Sequence, residues 1–380
     1  MQITALHIVG PHKGVSGYDH HVRSFVGEFL KLGIDIHLKD VATWSEKQLP
    51  DALQPNWIDS LNDDVGCDVY LYFCMPHQFE IQKEGRHVLF TMFEADRIPA
   101  MWLEPSLKSD LLIVPTQSSR ASWEFRGFPK NRIRLCPLGV DSELFVQNWP
   151  PLNIGDTEGR PLSDYSFRFL NISELRPRKN LLKLIRVWME ATTAEDDAIL
   201  ILKIGGLQEG YYETFKADLE YMQNSLGIER GHYAPIHFIQ EILSSESMVR
   251  LYRTTNHYIS MSHGEGWDMP MMEAGAAGLT LIAPHHTAYT TYLNDEIAHL
   301  IPSRKVPVEF DGQLGIEDLS LFEDAHWWEP DAEAAKSIVR AILDGTSKKI
   351  TSPRSLFLEK YSWKNAANRF LEILSSESAI

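Results

Sequence analysis

Short apolar, β-branched runs alternate with segments of helical period along almost the whole of this 380-residue chain, and that alternation points to parallel sheets built from βα units. ITALHIV at 3 to 9 reads as a strand, after which Val22, Phe25, Val26, Phe29 and Leu30 recur at helical spacing until Gly33 supplies a stop. IDIHL, DVYLYF, HVLFTMF, LLIVPT and IRLCPLG continue the series. The rhythm breaks at 148 to 165, NWPPLNIGDTEGRPLSDY, where three prolines and two glycines interrupt any apolar period. It restarts with FRFLNIS (167 to 173) and runs on through AILILKI, IHFIQ, NHYISM and LTLIAP. The expected class is therefore α/β. An N-terminal Rossmann-like domain is expected over 1–150, a linker near 148–165 and a second Rossmann-like domain over 166–360. SIVRAIL (337 to 343) and WKNAANRFLEIL (363 to 374) have helical periods, and whether the last segment, 361–380, packs back on the first domain stays open at this level.

Length supports the division, because one core rarely grows past about 250 to 300 residues. Hydrophobic residues at 44% and charged residues at 23% are ordinary for a folded protein with sizeable cores. The formal charge of −16, from 52 acidic and 36 basic side chains, argues against a nucleic-acid partner, since such binding rests on Lys and Arg neutralising phosphates. Any anion site must be local. The start MQITALHIVGPHKG has no leader pattern and no run of 18 apolar residues occurs, so neither secretion nor a membrane span is expected. Cys67, Cys74 and Cys136, odd in number and without a CxxC pair, suit a reducing compartment and read as core residues; the expected location is cytoplasmic.

Chemistry concentrates in SHGEGWDMPMMEAGAAGLTLIAP, residues 262 to 284. Glu265 follows the strand NHYISM in a glycine-rich turn, and Glu273 lies in the first turn of a helix entered near Pro270, where a proline's missing N–H goes unused anyway. Two carboxylates then stand at the carboxyl end of a parallel strand, where open α/β sheets bind ligands. Such acceptors suit sugar hydroxyls. The plainer alternative is a solvated Glu265 and a Glu273 that only complements the helix dipole.

EGWDMPMMEAGAAGLTLIAP resembles the E-x7-E signature of family-4 retaining glycosyltransferases, whose GT-B fold has two Rossmann-like domains with parallel sheets facing a central cleft. The resemblance implies that Glu273 holds the ribose of a nucleotide, and that Glu265 with the backbone of Gly266 and Trp267 contacts the donor sugar. Asp268 stands where the family usually has glycine. NISELRPRKNLLKLIRVW (171 to 188) is similar to the family's strand, basic loop and helix, which makes Lys179 the diphosphate lysine. Glu174 replaces the expected arginine, so Arg178 or Arg176 is left to supply the second charge. In GPHKGVSGYDHHV, Gly14 and Gly17 resemble the loop that closes over the donor diphosphate, with Lys13 and His12 on the acceptor side. FTMFEADRIPAMWLEPSLKSDLLIVPTQSSRASWEFRGF (90 to 128) resembles the family's first domain ahead of its linker. Phe93 and Glu94 there replace a histidine common in the family, and Glu94, Asp96 and Arg97 are acceptor-side candidates, the alternative being that they cap the next segment. HWWEPDAEAA (326 to 335) is assigned no chemistry.

The implied reaction moves a sugar from a nucleotide diphosphate donor to the hydroxyl of a glycan, lipid-linked or other acceptor with retained configuration, Glu265, Lys179 and Arg178 carrying it. No cofactor or metal is expected: adjacent histidines such as His20–His21 and His285–His286 point apart and lack metal-ligand spacing. Three other readings stay open. Paired carboxylates also serve glycoside hydrolases, a nucleotide-sugar epimerase shares the scaffold, and a non-catalytic sugar-nucleotide binding protein would tolerate the changes at Glu174 and Phe93.

Overall fold

The computed structural model of the chain describes residues 3–41, 44–45, 47–81, 83–205, 210–229, 231–310 and 316–376. Two six-stranded parallel sheets carry the architecture. The first joins β1 (Ala5–Val9), β2 (Asp35–Lys39), β3 (Val69–Phe73), β4 (Arg86–Phe90), β5 (Leu111–Val114) and β6 (Ile133–Leu135) in the order β2-β1-β3-β4-β5-β6. The second joins β7 (Phe167–Glu174), β8 (Ala198–Gly205), β9 (Ile236–Ile239), β10 (His257–Ile259), β11 (Thr280–Pro284) and β12 (Ala298–Ile301) in the order β12-β11-β10-β7-β8-β9. Every pairing within these sheets is parallel. The chain is an α/β protein of two Rossmann-like domains. No helix among the described residues is long and apolar enough to cross a membrane.

Local sequence explains the elements. Strands covered on both faces read as unbroken apolar runs, and VYLYF of β3 is buried at all five positions. The helix Gly17–Lys31 begins in a capping box, with Ser16 Oγ accepting from Asp19 N and the Asp19 carboxylate accepting from Ser16 N. Val22, Phe25, Val26 and Phe29 form its buried face, and Gly33 at φ +75 turns the chain back into β2. Three strands escape a sequence reading. β12 is a short edge strand of mixed polarity, and β13 (Ser303–Pro307) pairs antiparallel with β14 (His326–Pro330), the HWWEP stretch.

Residues 148–165 contribute no strand to either sheet. Their first part lies along the helix Ser245–Thr254, where Leu152 N donates to Thr254 Oγ1 at 2.8 Å, and farther on Arg160 pairs with Asp197 at 2.6 Å. At the other end, the chain returns to the first domain through a backbone bridge between Val140 and Ser362. The helix Trp363–Ser376 then lies on Gly17–Lys31, with the Phe370 ring 5.4 Å from Phe25 and 5.9 Å from Phe29. One apolar cluster consequently runs from Leu6 and Phe25 through Phe370 and Met271 to Leu170 and Ile201. Cys74 and Cys136 are buried in the cores, whereas Cys67 is only half-buried, which corrects its reading as a core residue.

Candidate active site

The two sheets present their strand ends to a common cleft, and the segment after β10 presses directly on the first domain. Gly264 and Gly266 make this approach feasible. A Cβ on Gly264 would overlap the Glu94 carbonyl oxygen, and one on Gly266 would come within 2.6 Å of Met92. Glu265, held between them, is 4% exposed. Its glycine neighbours thus serve close packing of one domain on the other.

Glu265 gathers the basic loop. Lys179 Nζ donates to its Oε1 at 2.7 Å, and Arg178 Nη1 donates to its Oε2 at 2.9 Å and to the Gly264 carbonyl at 2.6 Å. Arg178 Nη2 also reaches Glu94 Oε1 of the first domain at 3.5 Å. Burial pushes the Glu265 carboxyl up, but Lys179, Arg178 and a hydrogen bond from Ser262 outweigh it and hold it at about 2. The same carboxylate acts back on Arg178: burial opposes its charge, yet Glu265 and Glu94 raise its pKa.

Below this cluster the acidic residues find tyrosines instead of cations. Asp268, at φ +62, caps the helix Met269–Ala277 through Met271 N and accepts from Tyr289 Oη at 2.7 Å. Burial and the neighbouring Glu265 charge push its carboxyl to about 6. Glu273 accepts from Tyr252 Oη at 2.7 Å on Oε2, while its Oε1 lies 3.8 Å from His20 Nε2 of the first domain. Burial, with help from Asp268, raises its carboxyl to about 7 against the Tyr252 hydrogen bond. Glu273 sits one turn deeper than its expected place in the first turn. The reason is Asp268, whose cap starts the helix at Met269, with Pro270 second and Glu273 fifth.

A third group lines the same wall. His263 Nε2 meets Glu329 Oε2 at 2.8 Å, Lys183 Nζ lies 3.0 Å from Glu329 Oε1, and Trp328 N donates to the His263 carbonyl at 2.9 Å. Burial would raise the Glu329 carboxyl, but His263 and Lys183 hold it at about 2. Sequence reasoning misses Glu329, Tyr252 and Tyr289, because each meets its partner from another strand or helix and no local spacing marks it.

The remaining candidates are placed as follows. Arg176 turns to Tyr211, its Nη1 3.2 Å from the hydroxyl. The Trp267 ring is buried against Tyr292 and Tyr361, and its carbonyl accepts from Tyr292 Oη at 2.8 Å. Gly14 N donates to Asp19 Oδ1 at 2.7 Å beneath Ser45, and Gly17 faces Met269. Lys13 is paired with Asp59 at 2.6 Å, and His12 Nδ1 lies 3.0 Å from the Gly10 carbonyl. Asp96 spans the domains: it binds Arg97 at 2.9 Å and Lys305 at 2.7 Å, and accepts from His326 N at 2.8 Å. Beside it Phe93 stacks on Phe322 at 5.2 Å. Glu265, Lys179, Arg178, Gly266 and Glu94 therefore meet in one cluster, with Glu273 in the Tyr252 and His20 contact; Lys13 and Arg176 are engaged elsewhere.

This two-domain architecture, with parallel sheets facing a cleft, is the GT-B fold. No family model matches the sequence, and no curated protein matches it in sequence. Among solved structures, the chain is similar to sucrose-phosphate synthase from Thermosynechococcus elongatus, at 13% identity over 99% of both chains with a TM-score of 0.66. It is similar to HepE from Anabaena, crystallised with UDP and glucose, at 12% identity over 98% of this chain and 100% of that one, with a TM-score of 0.62. The UDP-forming α,α-trehalose-phosphate synthase of Burkholderia xenovorans, in complex with glucose-6-phosphate, aligns over 81% of this chain and 74% of its own at 12% identity and a TM-score of 0.58.

Proposed function

We propose that the chain is a retaining glycosyltransferase that moves a sugar from a nucleotide diphosphate donor, with UDP the first nucleotide to test, to an acceptor hydroxyl. The observation that carries this reading is the buried Glu265–Lys179–Arg178 cluster at the end of the central strand β10, set against Glu94 of the opposite domain. Similar folds crystallised with UDP and glucose add support.

The chemistry follows from the donors. An ammonium has three N–H donors; among the described residues the partner of Lys179 is Glu265, which leaves two for phosphate oxygens. Arg178 is held rigid by Gly264 and Glu265, so its charge needs no reorganisation as negative charge builds on the leaving diphosphate. Glu273 keeps Oε1 directed away from Tyr252 and takes the ribose hydroxyls there. Glu94 faces the reacting centre from the acceptor side. The leaving phosphate oxygen takes the acceptor's proton, so no side-chain base is required, and the sugar becomes oxocarbenium-like between the two faces.

Nucleotide sugars are incubated with the protein, with and without a panel of hydroxyl acceptors, and release of nucleoside diphosphate is followed. Acceptor-dependent release is expected, with the product anomer matching the donor. Turnover without nucleotide would favour a hydrolase, and tight nucleotide binding with no turnover would favour a binding protein.

A further inference from the structure

The cations assigned above to the leaving group are already neutralised: Glu265 binds both, and Glu94 adds a second carboxylate. Lys203 has no carboxylate in contact. It follows the apolar run AILIL of β8 and is 7% exposed, yet its side chain makes no hydrogen bond or ion pair among the described residues, with Glu241 acting on it only from a distance. Alternation along β8 fixes its direction. Leu200, Leu202 and Ile204 face the helix Leu181–Ala191, whereas Ile199 and Ile201 face Val249 and Tyr258 in the cluster that continues into the first domain, and Lys203 follows them.

Register places Lys203 beside Ile172 of β7, whose strand runs on into the loop of Arg178 and Lys179. On the other side it pairs with Ile239 of β9, ahead of Glu241. Lys47 of the first domain also acts on it electrostatically. The Lys47 segment is fixed in turn: Gln48 bridges Gly14, and Leu49 N donates to the Lys13 carbonyl at 2.8 Å. Burial lowers the Lys203 pKa, Glu241 opposes that and Lys47 adds to it. Burial disfavours an ammonium that has no ion pair, and the pull of Glu241 offsets this only in part, so an anionic group of a ligand would be stabilised beside it.

We propose that Lys203 binds an anionic oxygen group of the ligand, a phosphate or a sugar carboxylate, at the carboxyl end of β8. This deepens the nucleotide-sugar reading by adding a cation that Glu265 does not neutralise, and it rests on that reading only for the identity of the ligand.

The test is calorimetry on the full chain with inorganic pyrophosphate, UDP, UDP-glucuronate and, as the uncharged control, uridine. Parent, Lys203→Met and Lys203→Arg are compared after thermal melting. Lys203→Met should melt no lower than the parent, because it removes an unpaired buried charge. It should bind pyrophosphate and UDP at least tenfold more weakly while uridine is unchanged, and Lys203→Arg should retain binding. Weakening confined to UDP-glucuronate would assign the anion as the sugar carboxylate and still support the site. Parental affinity of Lys203→Met for all three anions, or an equal loss for uridine, would overturn it. A parent that binds pyrophosphate through Lys203 but no nucleotide sinks the glycosyltransferase reading and leaves the anion site standing; a parent that binds UDP whatever residue occupies 203 does the reverse.

Discussion

Replacing Glu265 by glutamine tests whether its carboxylate organises the site. The substitution keeps the side chain's shape and one acceptor oxygen but removes the charge between Lys179 at 2.7 Å and Arg178 at 2.9 Å. In the fold its carboxyl is held at about 2 in place of the ordinary 4.5. At about 1.4 kcal/mol per pH unit, that difference amounts to about 3 kcal/mol of stabilisation. This agrees with the roughly 3 to 5 kcal/mol lost when one member of a buried ion pair is deleted. The sign is fixed by linkage: a depressed carboxylate contributes in full above 4.5, and the contribution disappears as pH falls towards about 2. Urea unfolding followed by tryptophan fluorescence should therefore find Glu265→Gln less stable by about 3 kcal/mol at pH 7, narrowing to about 2 kcal/mol at pH 3.5. A gap that stays constant across that range, or a variant as stable as the parent at pH 7, would show that the carboxylate is not held by these cations.

Other outcomes are equally specific. Lys179→Ala should lower acceptor-dependent turnover roughly 10²- to 10³-fold, as when one preorganised donor is removed, assayed below a melting point that falls because Glu265 loses a partner. Near-parental turnover would move the leaving-group role elsewhere. Glu273, raised to about 7, is mostly protonated at pH 6 and ionised at pH 8; if its carboxylate grips ribose, uridine affinity by calorimetry should fall about tenfold from pH 8 to pH 6. Glu273→Gln should abolish that slope, and a slope that survives would refute the ribose role. Phe370→Ala, at a fully buried ring between the terminal helix and Gly17–Lys31, should cost about 3 to 5 kcal/mol in urea unfolding. Gly264→Ala should separate the domains at Glu94, which small-angle scattering would register as a larger radius of gyration.

Much of the scaffold is legible in the sequence because its signals are local. Strands such as VYLYF and AILIL are covered on both faces and need no partner in sequence to be recognised, and Val22, Phe25, Val26 and Phe29 mark a helix face through their own spacing. The proline-rich break at 148–165 likewise reads from composition. The glycines around Glu265 and the basic loop RPRK are visible as motifs, since their residue types are unusual where they stand.

What each charged side chain meets is decided only by the tertiary structure. Lys179 and Glu265 are 86 positions apart, and Tyr252 and Glu273 stand on different helices. Ion pairs and hydrogen bonds act over a few ångströms, so their partners are set by how β7, β10 and the first domain come together, which no periodicity records. The same holds for Gly264 and Gly266, whose missing side chains have a physical reason only once Glu94 and Met92 press against them. The sequence determined that parallel α/β layers would form and where their loops would carry charge. Packing determined which of those charges cancel, and left the Lys203 side chain without an ion pair among the described residues.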